Sequence, residues 1–233
     1  VALILIFLNL SLGLALEAYG ALRGWVWAEP ALGVITWAHW GFYLWRKPQL
    51  PDVAYTRFGL CLCVLLATFG ELVLAGLWGV YEYRSSLLPA YVPPGHGLLF
   101  LAGLMVAARV PLRWSMAGPA AAFLYWLFLA PADPLSLPLY FLFLLCCWWG
   151  AERRLYGVMF TLALALEIGG TAGGAWAWVS PIPGLSIPGA NPPVAAGVFY
   201  ALLDLLVREG ERRRLALAEA KLSVSRFCAR FCR

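Results

Sequence analysis

The first charged side chain in this chain is Glu17, and it comes at the end of an apolar run interrupted only by Asn9 and Ser11. Comparable runs recur to the far end of the sequence. A run of about 18 or more apolar residues is long enough to cross the hydrocarbon core of a bilayer as a helix. Hydrophobic residues make up 63% of the chain and charged residues 12%, against roughly 25% charged in a soluble domain. So little polar surface cannot cover a water-facing globule. The runs are also continuous and helix-length, unlike the short alternating strands of a membrane β-barrel. The fold expected is all-α: a polytopic transmembrane bundle of about eight membrane helices, near 1–21, 31–45, 58–81, 95–109, 114–130, 135–150, 155–178 and 194–207.

Charge placement agrees with that number. Arg46, Lys47 and Arg57 fall between the second and third helices, Arg109 and Arg113 at the fourth–fifth turn, and Arg153 and Arg154 between the sixth and seventh. Arg208, Arg212, Arg213, Arg214, Lys221, Arg226, Arg230 and Arg233 follow the eighth. Of 17 Lys and Arg, only Arg23 and Arg84 land on the other side. The positive-inside rule then puts both termini in the cytoplasm, and an odd number of helices would scramble the bias. The net charge of +5 thus belongs to topology, and nucleic acid is not an expected partner. The location expected is a bacterial inner (cytoplasmic) membrane. The first run is long and lacks a small-residue cleavage site, so it reads as a retained helix.

Two regions follow: residues 1–208 as the transmembrane bundle and 209–233 as a basic cytoplasmic tail. The tail alternates basic residues with Ala and Leu, which suits a helix at the surface of an anionic membrane. Cys228 and Cys232 share one face of it and read as reduced thiols. Cys61, Cys63, Cys146 and Cys147 lie within helices, away from any outer-face disulfide.

A pattern repeats inside the bundle. Glu17 is followed by Trp25 and Trp27, Glu71 by Trp78, Tyr81 and Tyr83, and Glu167 by Trp176 and Trp178. Each copy has a lone Glu in an outward-running helix, then an aromatic-x-aromatic pair, then a proline-containing connection. Such degenerate hairpin repeats are common in membrane folds. The fifth and sixth helices lack it, with Asp133 in their turn and no Glu upstream. Aromatic residues at helix ends commonly anchor at the membrane interface.

The glutamates demand more explanation, because a carboxylate inside a membrane helix is costly unless it faces a partner, a cavity or water. Three at similar depth imply a polar pocket in the outer half of the bilayer, or hydrogen bonds that fix helix packing. Glu71 and Glu167 are the candidate acid and base, with His96 as orienting or proton-shuttling partner. Glu17, Trp78, Tyr81, Trp176, Trp178 and Asn191 are candidate substrate contacts. Asn191 before two prolines also suits a helix N-cap. Gly170 and Gly174 have the spacing that lets two helices approach closely, and Asp204 is placed to pair with Arg208 one turn on. His39 is expected to lie buried within its helix. No metal set, nucleotide loop or serine nucleophile elbow is present, so neither metal nor cofactor is expected.

Glu167, Gly170, Gly174, Trp176 and Trp178, echoed by Glu71, Trp78 and Tyr81, resemble a motif of membrane carotenoid 1,2-hydratases of the bacterioruberin and lycopene type. That resemblance implies an enzyme that protonates a C=C bond of a long polyene and lets water capture the cation. The residues themselves leave three functions open. One is an enzyme acting on a lipid or isoprenoid by acid/base chemistry. Another is a non-catalytic subunit or assembly factor bound to partner chains of a membrane complex. The third is a small proton-coupled transporter. Membrane lipids are expected partners in all three.

Overall fold

A computed structural model of the protein describes residues 1–47, 50, 53–130 and 132–231, with the side chains of 220–231 excepted. It is mostly helical. Among the described residues three helical stretches are long and apolar enough to cross a membrane: Ala2–Leu22, Arg57–Trp78 and Arg153–Ala172. These are the stretches that carry Glu17, Glu71 and Glu167. Bulky apolar side chains such as Leu5, Leu12, Leu65, Phe128, Leu144 and Trp148 are exposed on the outside of the bundle, as a lipid-facing surface requires.

The helices are α1 (Ala2–Leu22), α2 (Ala28–Arg46), α3 (Arg57–Glu71), α4 (Val92–Ala107), α5 (Leu112–Ser115), α6 (Ala117–Leu129), α7 (Ser136–Trp149), α8 (Arg153–Ala172) and α9 (Phe199–Phe231). Helix α4 is the centre. Leu98 to Met105 are buried on every side of it, the pattern of a core helix with no polar face. It packs against α1, α2, α3 and α8.

Three expected boundaries differ. The third helix was expected to continue as one helix to 81. It instead passes into a wider π-helical turn over Leu72–Trp78 and ends at Gly79, whose φ of 71° is left-handed. The seventh was expected to reach 178 but stops at Ala172, and Gly174 takes φ 66°. Glycine adopts that conformation without a Cβ clash. After each glycine the chain extends into a strand, β1 (Tyr81–Tyr83) and β2 (Trp176–Trp178), which pair antiparallel with Tyr81 opposite Trp178 and Tyr83 opposite Trp176. Aromatic residues favour strands, so an aromatic-x-aromatic pair after a helix-ending glycine starts one. The bundle therefore departs from all-α by this two-stranded sheet. The eighth helix begins at Phe199 rather than 194, after a 3₁₀ turn over Ala196–Val198. It then continues unbroken past residue 208, so the tail extends the last helix. Cys232 and the Cys228 side chain lie outside the described residues.

The basic residues gather at the end opposite the sheet. Arg57 donates to the Leu44 and Trp45 carbonyls at the C-terminus of α2 (2.9 and 3.1 Å). Thr56 caps α3 by accepting from Gly59 N–H, and its own N–H and hydroxyl bond Glu211 of α9. Arg208 bonds Asp204 one turn earlier (2.9 Å) and reaches Glu152 (3.3 Å), and Tyr55 donates to the same Asp204. Further along α9, Arg212 and Arg213 hold the Glu209 carboxyl down at about 2.

Asp133 closes the far side of the sheet end. It is buried, and it accepts from the backbone N–H groups of Ala190 (3.2 Å) and Val194 (2.9 Å) and from the Ser136 hydroxyl (2.5 Å). This carboxylate thus ties down two backbone N–H groups of the proline-rich loop between β2 and α9. Removing a buried acceptor strands its donors at about 1–3 kcal/mol each. Asp133→Ala is expected to destabilise the protein by at least about 2 kcal/mol, measured by unfolding in detergent micelles. Stability within about 0.5 kcal/mol of wild type, the range of an ordinary surface change, would show that the loop is held otherwise.

Candidate functional site

Strand geometry puts residues i and i+2 on one face. Tyr81, Tyr83, Trp176 and Trp178 therefore share the face of the sheet that looks into the bundle, while Glu82 and Ala177 look out. The rings pack across the strands, with centroids 5.0 Å apart for Tyr81–Trp178 and 5.9 Å for Tyr83–Trp176. Their polar atoms divide between two carboxylates. The Tyr81 and Tyr83 hydroxyls donate to Glu71 Oε2 at 2.5 and 2.6 Å. The Trp176 and Trp178 indole N–H groups donate to Glu167 Oε2 at 2.8 and 2.9 Å. Each glutamate is clamped by the strand that follows its own helix.

The second oxygens differ. Glu71 Oε1 meets His96 Nε2 at 2.9 Å, and His96 Nδ1 meets the Tyr200 hydroxyl at 2.6 Å. A carboxylate only accepts hydrogen bonds, so Nε2 carries the hydrogen and, in the neutral ring, Nδ1 accepts from Tyr200. Both oxygens of Glu71 are thus committed. Glu167 Oε1 makes no hydrogen bond among the described residues.

Both carboxylates open into one cavity. Its polar wall is Glu71, His96, Glu167, Tyr81, Tyr83, Tyr91, Tyr200, Thr36 and Asn9, and its apolar wall includes Leu10, Leu14, Leu32 and Leu166. Trp176 also faces it. Apolar walls with a few convergent polar groups are the usual form of a small-molecule site.

The structure thus brings Glu71, Glu167, His96, Tyr81 and Trp176 together, with Trp178 immediately behind Glu167. It does not bring the other candidates to the cavity. Trp78 is partly exposed and donates to the Pro183 carbonyl at 2.7 Å. Asn191 is not an N-cap. Its side-chain oxygen accepts from the Trp178 backbone N–H at 2.9 Å, which pins β2 from outside. Glu17 is buried and ends 3.7 Å from the Arg84 guanidinium. Arg84 also donates to the Glu17 carbonyl (2.9 Å) and reaches that of Gly173 (3.4 Å), tying the ends of α1 and α8 together. The Glu17 copy of the repeat diverges for a visible reason. Gly24, at φ 68°, directly precedes Trp25, whereas Gly79 and Gly174 stand two residues before their first aromatic. Trp25 and Trp27 stack on each other in a turn and stay exposed. His39 is half-buried rather than buried, its ring tilted at 42° to that of Tyr43, and it does not line the cavity.

Sequence reasoning did not single out Tyr83, Tyr91, Tyr200, Thr36, Asn9 or Arg84 as site residues. Asn9 carried a signal, as a polar amide in the middle of an apolar helix. Tyr83 carried another, as the partner of Tyr81 in the aromatic pair. Thr36 carried a weaker one, as a polar residue in the middle of α2, while Tyr91 and Tyr200 had none, since nothing local distinguishes them from other residues at helix ends. No family model matches the chain, and neither a curated protein nor a solved structure shows significant similarity to it.

The small residue at 170 serves the clamp rather than a neighbouring helix. A Cβ built there lies 2.0 Å from the Trp176 ring. Gly170→Ala is therefore expected to push Trp176 off Glu167, shifting tryptophan emission to the red and costing about 1–3 kcal/mol. Gly169→Ala, whose nearest atom is Leu14 Cδ1 at 3.6 Å, is the matched control. An unshifted spectrum for Gly170→Ala would mean that the indole does not sit where described.

Proposed function

We propose that this protein is an integral membrane enzyme that performs acid/base chemistry on the unsaturated end of a lipid or isoprenoid, with Glu167 as the acid. The observation that carries the reading is the unequal state of two carboxylates in one cavity. Glu71 accepts from three donors through both oxygens, the hydrogen-bond pattern of a carboxylate. Glu167 accepts only from two indole N–H groups on one oxygen. Its other oxygen has no partner among the described residues, which leaves it free to carry a hydrogen. Environments that separate two carboxylates in this way divide the roles of acid and base.

The reaction follows from the parts. Glu167 Oε1–H delivers its proton to one carbon of a C=C bond, and the π electrons form the new C–H bond. The cation left on the adjacent carbon lies among Trp176, Tyr81 and Tyr83, whose ring faces attract positive charge. A water oxygen supplies the electron pair of the new C–O bond and loses its proton to the Glu71–His96 pair. Proton return from that pair to Glu167 restores the starting state. Water adds across the double bond with no redox change. The resemblance of the Glu167–Trp178 stretch to carotenoid 1,2-hydratases points to the same chemistry on a long polyene.

The same reading takes the chain as a polytopic protein of about eight membrane helices, with the sheet outside and the basic end in the cytoplasm. A bacterial inner membrane suits it. Glu82→Cys is then expected to react with a membrane-impermeant thiol reagent in intact cells. Arg212→Cys is expected to react only after permeabilisation. The reverse pattern would invert the topology.

Glu167→Gln keeps the shape and the indole contacts but cannot give up a proton. It is expected to lower turnover of a linear polyene by about 10²–10⁴-fold with the fold intact. Glu82→Gln, on the outer face of β1, is expected to be silent. Full activity in Glu167→Gln, or proton-driven flux of a solute without turnover, would contradict the reading.

A further inference from the structure

A second cavity lies between α1 and α8. Phe7, Leu10, Ser11, Leu14, Ala15 and Ala18 line it from α1. Their spacing of three and four residues marks one helix face. Leu162, Ala165, Leu166, Gly169 and Gly173 line it from α8 in the same register, and Leu99 of α4 forms the floor. Ser11 is its single polar side chain. Helix α1 packs on α2 and α4, and its contact with α8 is at most marginal. Ser11, Ala15, Ala165 and Gly169 are all exposed along this gap.

The gap adjoins the reactive cavity. Leu10, Leu14 and Leu166 line both spaces, and Glu167 follows Leu166 directly. The slot runs from residue 7 to 18 on one helix and from 162 to 173 on the other. At 1.5 Å per residue that is about 16 Å. It is long, narrow, apolar and open along its side, and one wall carries a run of small residues.

From this shared wall and the apolar, side-open shape of the gap we infer that the α1–α8 slot is the binding site for the tail of the substrate, a linear hydrocarbon chain that enters sideways from the bilayer and places its unsaturated end at Glu167. This rests on the proposed function for the identity of the end group, but the slot is tested separately. Gly169 faces Leu14 across the slot, with Leu14 Cδ1 3.6 Å from where a Cβ at 169 would sit. A large side chain there fills the slot without touching the clamp.

The experiment uses the full-length protein in lipid nanodiscs and a linear isoprenoid hydrocarbon bearing a terminal diazirine. Photolabelled residues are mapped by mass spectrometry, with unlabelled squalene as competitor. In wild type the expected labels fall on the slot faces of α1 and α8 and are removed by squalene. Gly169→Phe and Ala165→Phe are each expected to lose most of the slot labelling, while Glu167→Gln keeps it. Two blocking variants guard against one that fails to fold, as judged by its melting temperature. Equal labelling of Leu5 and Leu12 on the outer face of α1, insensitive to squalene, would mean ordinary boundary lipid and overturn the proposal. So would undiminished slot labelling in both folded Phe variants. Slot labelling without turnover in wild type would sink the hydration chemistry but leave the slot standing. Turnover without slot labelling would do the reverse.

Discussion

A carboxylate in an apolar helix bundle must find hydrogen-bond donors or water, because leaving its charge unpaired there is costly. Glu71 and Glu167 find theirs in the chain that immediately follows them. Each sits near the end of a long apolar helix, each helix ends at a left-handed glycine, and each glycine releases a strand whose two aromatic residues turn back onto the glutamate. The two strands then satisfy each other's backbone. The sheet, the roof of the cavity and the placement of both carboxylates all follow from that one local solution used twice.

The two copies share a backbone and differ in chemistry. Tyr81 and Tyr83 donate to one oxygen of Glu71, and His96 engages the other and carries the network on to Tyr200. Trp176 and Trp178 donate to one oxygen of Glu167, and among the described residues the network ends there. The duplicated hairpin thus yields one carboxylate wired into a relay and one that is held but otherwise free. The separation of acid from base in the proposed reaction comes from His96, which meets Glu71 and has no counterpart at Glu167 among the described residues.

Much of this was legible in the sequence, and the failures have physical causes. Apolar run length located the helices, because burying backbone in lipid leaves little alternative. The cost of a membrane carboxylate singled out Glu71 and Glu167. The aromatic pairs were seen, as interface anchors and, for Trp78, Tyr81, Trp176 and Trp178, as candidate substrate contacts, but not as strands. Gly174 and Gly79 hold the information that turns them inward, and glycine alone does not say which φ it will take. The Glu17 copy looked equivalent, yet moving its glycine by one residue removes the strand and leaves Trp25 and Trp27 outside. Asn191 met every local criterion for a helix cap. It was drawn instead to the free N–H of Trp178, a contact between residues 13 apart that only the folded loop creates. Tyr200 and Tyr91 reach the cavity through helix packing, which leaves no trace in their neighbours.

The account stands on Glu167 giving a proton to carbon. Its most direct test is turnover of a linear polyene by the reconstituted protein in D₂O, with the product analysed by mass spectrometry and deuterium NMR. A single non-exchangeable C–D bond on the carbon adjacent to the one that bears the new hydroxyl, with the hydroxyl oxygen drawn from water, is the result predicted. A hydroxylated product whose oxygen comes from O₂, or one with no deuterium on carbon, would contradict it.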